Sequence, residues 1–189
     1  MIKAIIFDCF GVVVNDTMPA AYASLGGDFE KDKPAIQAAI NAANKGLIPR
    51  STGPISVLLG VSEETWISAI AAGREKNESL LEYILELRKT YKVGMLSNIS
   101  KGGFARLFED GFLEQYFDVA IESSALGFAK PEPEAYETAA AQLGVRLDEC
   151  VFTDDRQVYI DGAIAVGMKA ILFKDTEQFK TELKELLRD

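Results

Sequence analysis

The stretch AIIFDCFGVVV, residues 4–14, decides the fold. Ala4, Ile5, Ile6 and Phe7 form an unbroken apolar run almost at the start of the chain. Continuous apolar character, rather than strict alternation, is what a strand needs when helices cover both faces of a parallel sheet. The run stops at Asp8, and Gly11 then permits a sharp turn before Val12, Val13 and Val14. A carboxylate directly after a buried strand lies where open α/β sheets hold their ligands, beyond the carboxyl ends of the strands.

Working outward, similar short runs recur at residues 93–96, 151–153 and 170–173, with a weaker one at 119–122. Helical-period segments separate them. Pro131 and Pro133 stand in a first turn followed by Tyr136, Ala139, Ala140 and Leu143, and Gly144 stops that helix. A second helix spans about 157–166 and stops at Gly167, while a last one follows Asp175 as N-cap and lines up Phe179, Leu183, Leu186 and Leu187. Strands alternating with helices predict an α/β fold built on a doubly wound parallel sheet, Rossmann-like in its winding.

One interval is too long. Roughly 80 residues separate the first strand from residue 93, where a crossover needs about a dozen. The excess is helical in pattern, over 18–25, 34–44, 55–59 and 63–72, and the segment 78–89, with Leu80, Leu81, Ile84, Leu85 and Leu87, returns to the core. The expected organisation is an α/β core of residues 1–14 and 77–189, interrupted by a small α-helical cap over 15–76. Trp66, Ile67 and Ile70 read as the interior of that cap.

Composition narrows the function. The 189 residues are 48% hydrophobic and 26% charged, ordinary for a globular protein. A net charge of −9 without any Lys/Arg run disfavours a nucleic-acid partner. It also repels small anions at long range, so a phosphate-bearing substrate requires a locally positive site. No apolar run is long enough for a bilayer and no secretory pattern opens the chain, so a cytoplasmic protein without membrane contact, monomer or homodimer, is expected. Cys9 and Cys150 are expected to be reduced, buried thiols. The sequence holds no histidine, which excludes histidine triads, His-ligated zinc and histidine general bases. Carboxylates, hydroxyls, thiols or lysine must carry the chemistry.

The ends of the expected strands supply them: Asp8, Phe10 and Gly11 after the first, Ser97 and Asn98 after the second, Lys130 before a helix, and Asp154 with Asp155 after the fourth. A divalent cation between Asp8 and Asp155 would remove the repulsion between a carboxylate nucleophile and a phosphate dianion. Lys130 and Ser97 would bind the phosphoryl oxygens.

In this order the motifs FDCFGVV, GMLSN, GFAKPEPEAY and VFTDDRQVYIDGAIAVGM resemble those of the haloacid dehalogenase superfamily across essentially the whole chain. The resemblance implies a hydrolase with Asp8 as covalent nucleophile, Ser97 and Lys130 as catalytic partners, and Gly11 and Asn98 toward the substrate. It further implies one Mg²⁺ held by Asp8, the Phe10 carbonyl and Asp155, with Asp154 as an additional candidate. The inserted helices resemble the family's cap of the first type. A small phosphorylated metabolite is the implied substrate.

Phe10 departs from the pattern, because phosphatases of the family usually carry a second aspartate there as acid and base. Loss of a general acid costs about 10² to 10⁴ in rate, least where the leaving group needs no proton. Sugar-1-phosphates, acyl phosphates and aryl phosphates are therefore favoured. The family's 2-haloacid dehalogenases, which need no metal, also place an aromatic residue at that position and stay open as an alternative. So does a non-catalytic member that binds a phospholigand or a protein. Lys31, Lys33, Lys45, Arg50 and Arg74 are candidate substrate contacts from the insertion, though each is ordinarily solvated. Asp161 reads as a surface helix residue and Tyr136 as core.

Overall fold

The computed structural model describes residues 1–188. Five parallel strands, β1 (Ala4–Phe7), β2 (Lys92–Ser97), β3 (Val119–Glu122), β4 (Cys150–Asp154) and β5 (Lys169–Leu172), stand in the order β3-β2-β1-β4-β5. The chain winds outward from β1 through β2 to β3, then returns to the other side of β1 for β4 and β5. The winding reverses between β1 and β4, where a crevice opens beyond the strand ends. Phe7 pairs with Met95 on one side and with Thr153 on the other, so Asp8 emerges beside Asp154.

Each of the four residues of β1 is buried, and successive side chains enter opposite layers. Ile5 and Phe7 join Val93, Met95, Val151 and Phe179 in one layer. Ala4 and Ile6 join Leu96, Phe152, Tyr136 and Ile160 in the other. That double coverage is the physical cause of the unbroken apolar run.

Between β1 and β2 lie α1 (Met18–Ser24), α2 (Phe29–Asn44), α3 (Thr52–Leu59), α4 (Glu63–Ala72) and α5 (Glu78–Leu87). Helices α1 to α4 have an interior of their own, with Tyr22, Ile36, Ile55 and Trp66 fully or almost fully buried. Tyr22 meets Phe29 and Trp66 edge to face at 5.8 and 6.0 Å. The outgoing and returning chains run side by side: Val14 bridges antiparallel to Lys76, and the Asn77 amide N–H donates to the Val13 carbonyl at 2.8 Å. Farther along, the Ser123 hydroxyl donates to the Asn44 carbonyl at 2.8 Å and Lys45 pairs with Glu132 at 2.8 Å. These contacts hold the insertion over the strand ends.

The remaining helices are α6 (Gly103–Leu107), α7 (Phe112–Tyr116), α8 (Ser123–Leu126), α9 (Pro133–Leu143), α10 (Gln157–Ala165) and α11 (Thr176–Leu186). The first three, of five, five and four residues, were not anticipated, because they are too short to display a helical period. Helix α2 begins five residues before the expected Pro34. Asp28 caps it by accepting the Lys31 amide at 3.1 Å, and Phe29 packs on Tyr22, so the missing N–H of Pro34 is tolerated inside. Pro131 falls outside α9, whose N-cap is Glu132, and Cys9 lies just past β1. Among the described residues no single helix is long and apolar enough to cross a membrane.

Truncating the fully buried Trp66 to alanine is expected to cost about 3–5 kcal/mol, read as a lowered urea midpoint. A loss below about 1 kcal/mol would show that the insertion does not depend on this interior.

Candidate active site

The first turn after β1 folds back tightly. The amides of Val13 and Val14 both donate to the Cys9 carbonyl at 2.9 Å, and the Gly11 amide donates to Val14 at 2.6 Å. Gly11 takes φ +81°, and a Cβ there would lie 2.5 Å from the Asp155 carboxyl carbon. Glycine is thus required twice over, for the turn and for the approach of Asp155. The residue expected near the substrate instead makes room for a carboxylate.

Lys130 is the centre of the arrangement. Its ammonium is fully buried, 2.8 Å from Asp8 Oδ1 and 2.6 Å from Asp154 Oδ2. Its Nζ also lies 5.2 and 5.0 Å from the ring centroids of Phe152 and Tyr159. Burial by itself would lower its pKa, but Asp8 and then Asp154 hold it above the ordinary lysine value, so the group stays charged. The backbone of Lys130 is fixed by Asn98, whose Oδ1 accepts the Lys130 amide and whose Nδ2 donates to the Lys130 carbonyl, both at 2.9 Å. Asn98 borders the cavity, yet its side chain serves chiefly to orient lysine.

Asp8, Asp154 and Asp155 each present an oxygen within 4.8 Å of the others. Burial, offset by Lys130 and reinforced by Asp154, raises Asp8 to about 7. Partial desolvation, then the Asp154 charge, raises Asp155 to about 6. Asp154 has both oxygens engaged, Oδ2 with Lys130 and Oδ1 with the Arg156 amide at 3.0 Å. Asp154 therefore takes the amide at the start of α10, and Asp155, which lines the crevice, joins no ion pair among the described residues. One ammonium cannot neutralise three converging carboxylates, so the donor set fits a hard divalent cation with oxygen ligands.

Ser97 ends β2 fully buried, with a hydroxyl that has no hydrogen-bond partner. A buried donor left unpaired in a pocket is available to a ligand. Burial and then the Asp8 charge push the Cys9 thiol well above its ordinary value, which leaves it inert. A cavity of about 570 Å³ opens above these groups, with Asp8, Phe10, Ser97 and Asp155 at its floor. Lys33, Arg50 and Arg74 of the insertion line the same cavity, whereas Lys45 is drawn away to Glu132. Tyr136 is buried core and donates to the Tyr159 carbonyl at 2.8 Å. Tyr159 escaped the sequence reading. It lines the cavity, and its hydroxyl accepts from Arg156 Nη1 at 2.9 Å and from Asn98 Nδ2 at 3.3 Å.

This crevice and its charged groups define a hydrolase of the haloacid dehalogenase-like family, to which the chain belongs: residues 2–167 match that family. Over 99% of its own length and 99% of the relative's, the chain is 27% identical to D-ribitol-5-phosphate phosphatase of Bacteroides thetaiotaomicron. Over 45% of the chain it is 41% identical to a phosphatase of Mycobacterium tuberculosis, of which the match spans 40%. A family enzyme from Bacteroides thetaiotaomicron, solved as a crystal structure, superposes with a TM-score of 0.80 over 96% of this chain and 98% of its own, at 23% identity. The same enzyme has been crystallised with magnesium.

A carboxyl raised on folding binds more protons in the native state than in the unfolded chain. For Asp8 that excess exists between about pH 4 and pH 7, so its stabilising contribution is complete below that window and disappears as pH rises through it. In EDTA, the thermal midpoint is expected to fall from about pH 5 to about pH 7.5, and Asp8→Asn should flatten the slope. An unaltered slope in that variant would assign the pH dependence elsewhere.

Proposed function

We propose that the chain is a Mg²⁺-dependent phosphatase of small phosphorylated molecules, working through a phosphoaspartyl intermediate on Asp8. The observation that carries the reading is the buried Lys130 ammonium bound to Asp8 and Asp154, with Asp155 beside them. One carboxylate oxygen of Asp8 attacks phosphorus, the bond from phosphorus to the leaving oxygen breaks, and the leaving group takes that electron pair. Lys130 orients Asp8 and binds a phosphoryl oxygen, while the unpaired Ser97 hydroxyl donates to another as charge spreads over them. Water then cleaves the acyl phosphate and releases Asp8. Asp8, Asp155 and the Phe10 carbonyl would hold Mg²⁺, which would supply charge neutralisation between nucleophile and substrate. Asp154 acts as the anchor of Lys130. The helices of residues 15–76 act as a cap that excludes water from the crevice.

Phe10 lines the cavity where the family's acid would stand, so leaving groups that depart without a proton are the better substrates. The same aromatic residue favours the metal-independent dehalogenase as a second reading. The three converging carboxylates weigh against it, since they repel one another unless a cation lies among them.

Asp8→Asn is expected to abolish hydrolysis of p-nitrophenyl phosphate, a fall of at least about 10³; turnover within tenfold of the parent would remove Asp8 as nucleophile. EDTA should suppress the same activity and Mg²⁺ restore it, whereas release of halide from 2-chloropropionate in EDTA would favour the dehalogenase. Phe10→Asp should raise hydrolysis of alkyl phosphates by about tenfold or more, and no gain would mean that another group already moves that proton.

A further inference from the structure

Two asparagines in this fold perform the same task on two basic residues. Asn98 grips the backbone of Lys130 from both sides. Asn15 does the equivalent around Arg74: its Nδ2 donates to the Gly73 carbonyl at 2.9 Å and its Oδ1 accepts the Glu75 amide at 2.8 Å. Arg74 is thereby fixed on the chain returning from the insertion, and its side chain lines the cavity. Its Nε is buried without a hydrogen-bond partner, and it joins no ion pair among the described residues. A guanidinium carried on a fixed backbone, with a buried donor unused, gains a charge-assisted hydrogen bond when an anion binds.

We infer that Arg74, positioned by Asn15, binds an anionic group on the leaving-group side of the substrate. The enzyme therefore selects phosphate esters whose leaving group carries a carboxylate or a second phosphate. This inference rests on the phosphatase reading for its geometry. In-line displacement puts the leaving oxygen opposite Asp8, and so toward the wall built by the insertion. The core already provides Lys130 and Ser97 for the transferred phosphoryl group, which leaves Arg74 for what lies beyond. The outer part of the same cavity is also short of negative charge. Arg50 and Arg106 both line it, and Arg106 is held below its ordinary value first by burial and then by the like charge of Arg50. Burial, opposed by Cys9 and then by Asp16, holds Arg74 below its ordinary value, and Arg74 pairs with neither. A chain of net charge −9 that gathers arginines in one crevice attracts there what its surface repels.

The test uses non-hydrolysable probes that differ only in charge: 4-(2-carboxyethyl)benzylphosphonate and its carboxyl methyl ester, titrated calorimetrically into the Mg²⁺-loaded protein. The free carboxylate is expected to bind at least about tenfold tighter than the ester, the worth of a charge-assisted hydrogen bond. A probe with a second phosphonate in place of the carboxylate distinguishes the two anions and should also exceed the ester. In Arg74→Gln the ratio should collapse to below about threefold, in Arg74→Lys it should be partly retained, and in Asn15→Ala it should shrink although Arg74 is present. The Arg74 side chain makes no hydrogen bond among the described residues, so its loss removes no packing contact of that kind. Equal affinity for acid and ester, binding of neither, or a preference that survives Arg74→Gln would each overturn the inference. Hydrolysis of phenyl phosphate, assayed in parallel, reports separately on the phosphatase reading.

Discussion

A buried lysine ammonium held between two aspartates at the floor of the cavity is the interaction on which the rest of this molecule depends. Buried charges are costly unless paired, and removing one member of a buried pair leaves the other uncompensated. Lys130 meets that condition by touching both Asp8 and Asp154. The balance is still incomplete: three carboxylates converge on one ammonium, and the remaining deficit appears as raised pKa values at Asp8 and Asp155. A site with such a deficit favours protons at low pH and a divalent cation otherwise. The pH dependence of stability and the proposed metal binding and nucleophilic attack would thus share one electrostatic origin.

The sheet produces that convergence through topology. Reversal of winding between β1 and β4 puts the residues that follow two non-adjacent segments side by side. The tight turn at Gly11 then admits Asp155 to the same place. Backbone hydrogen bonding brings in Lys130, since Asn98 replaces a strand partner for a loop residue that has none. Rigid elements hold the carboxylates and a side-chain clamp holds the cation, a division that fixes geometry without a further strand.

The insertion changes the sign of the surroundings. Its own apolar interior makes it a solid wall rather than a loop, and it carries Lys33, Arg50 and Arg74 to the cavity. Acidic groups at the floor and basic groups on the wall give the crevice two unlike ends. The proposed preference for an anionic leaving group rests on this polarity.

Much of the core was legible because its signals are local. Burial of β1 on both faces demands the unbroken run at residues 4–7, and the glycine and aspartate that follow are what a strand-end turn and its chemistry require. The fold class, the presence of helices between the first two strands, and Asp8, Ser97, Lys130 and Asp155 as the polar groups near the strand ends all follow from such patterns. Other features depend on partners remote in sequence. Asp154 engages Lys130 and the Arg156 amide, Gly11 yields space to Asp155, and Asn15 flanks Arg74 with its two hydrogen bonds. Helices α6 to α8 were hidden by their brevity, and α2 outran its proline because a cap and an aromatic contact outweighed one missing hydrogen bond. Residue types and their spacing determined which groups are available; which of them touch, and which are left unpaired to meet a ligand, was decided only when the folded chain put distant side chains within hydrogen-bonding distance.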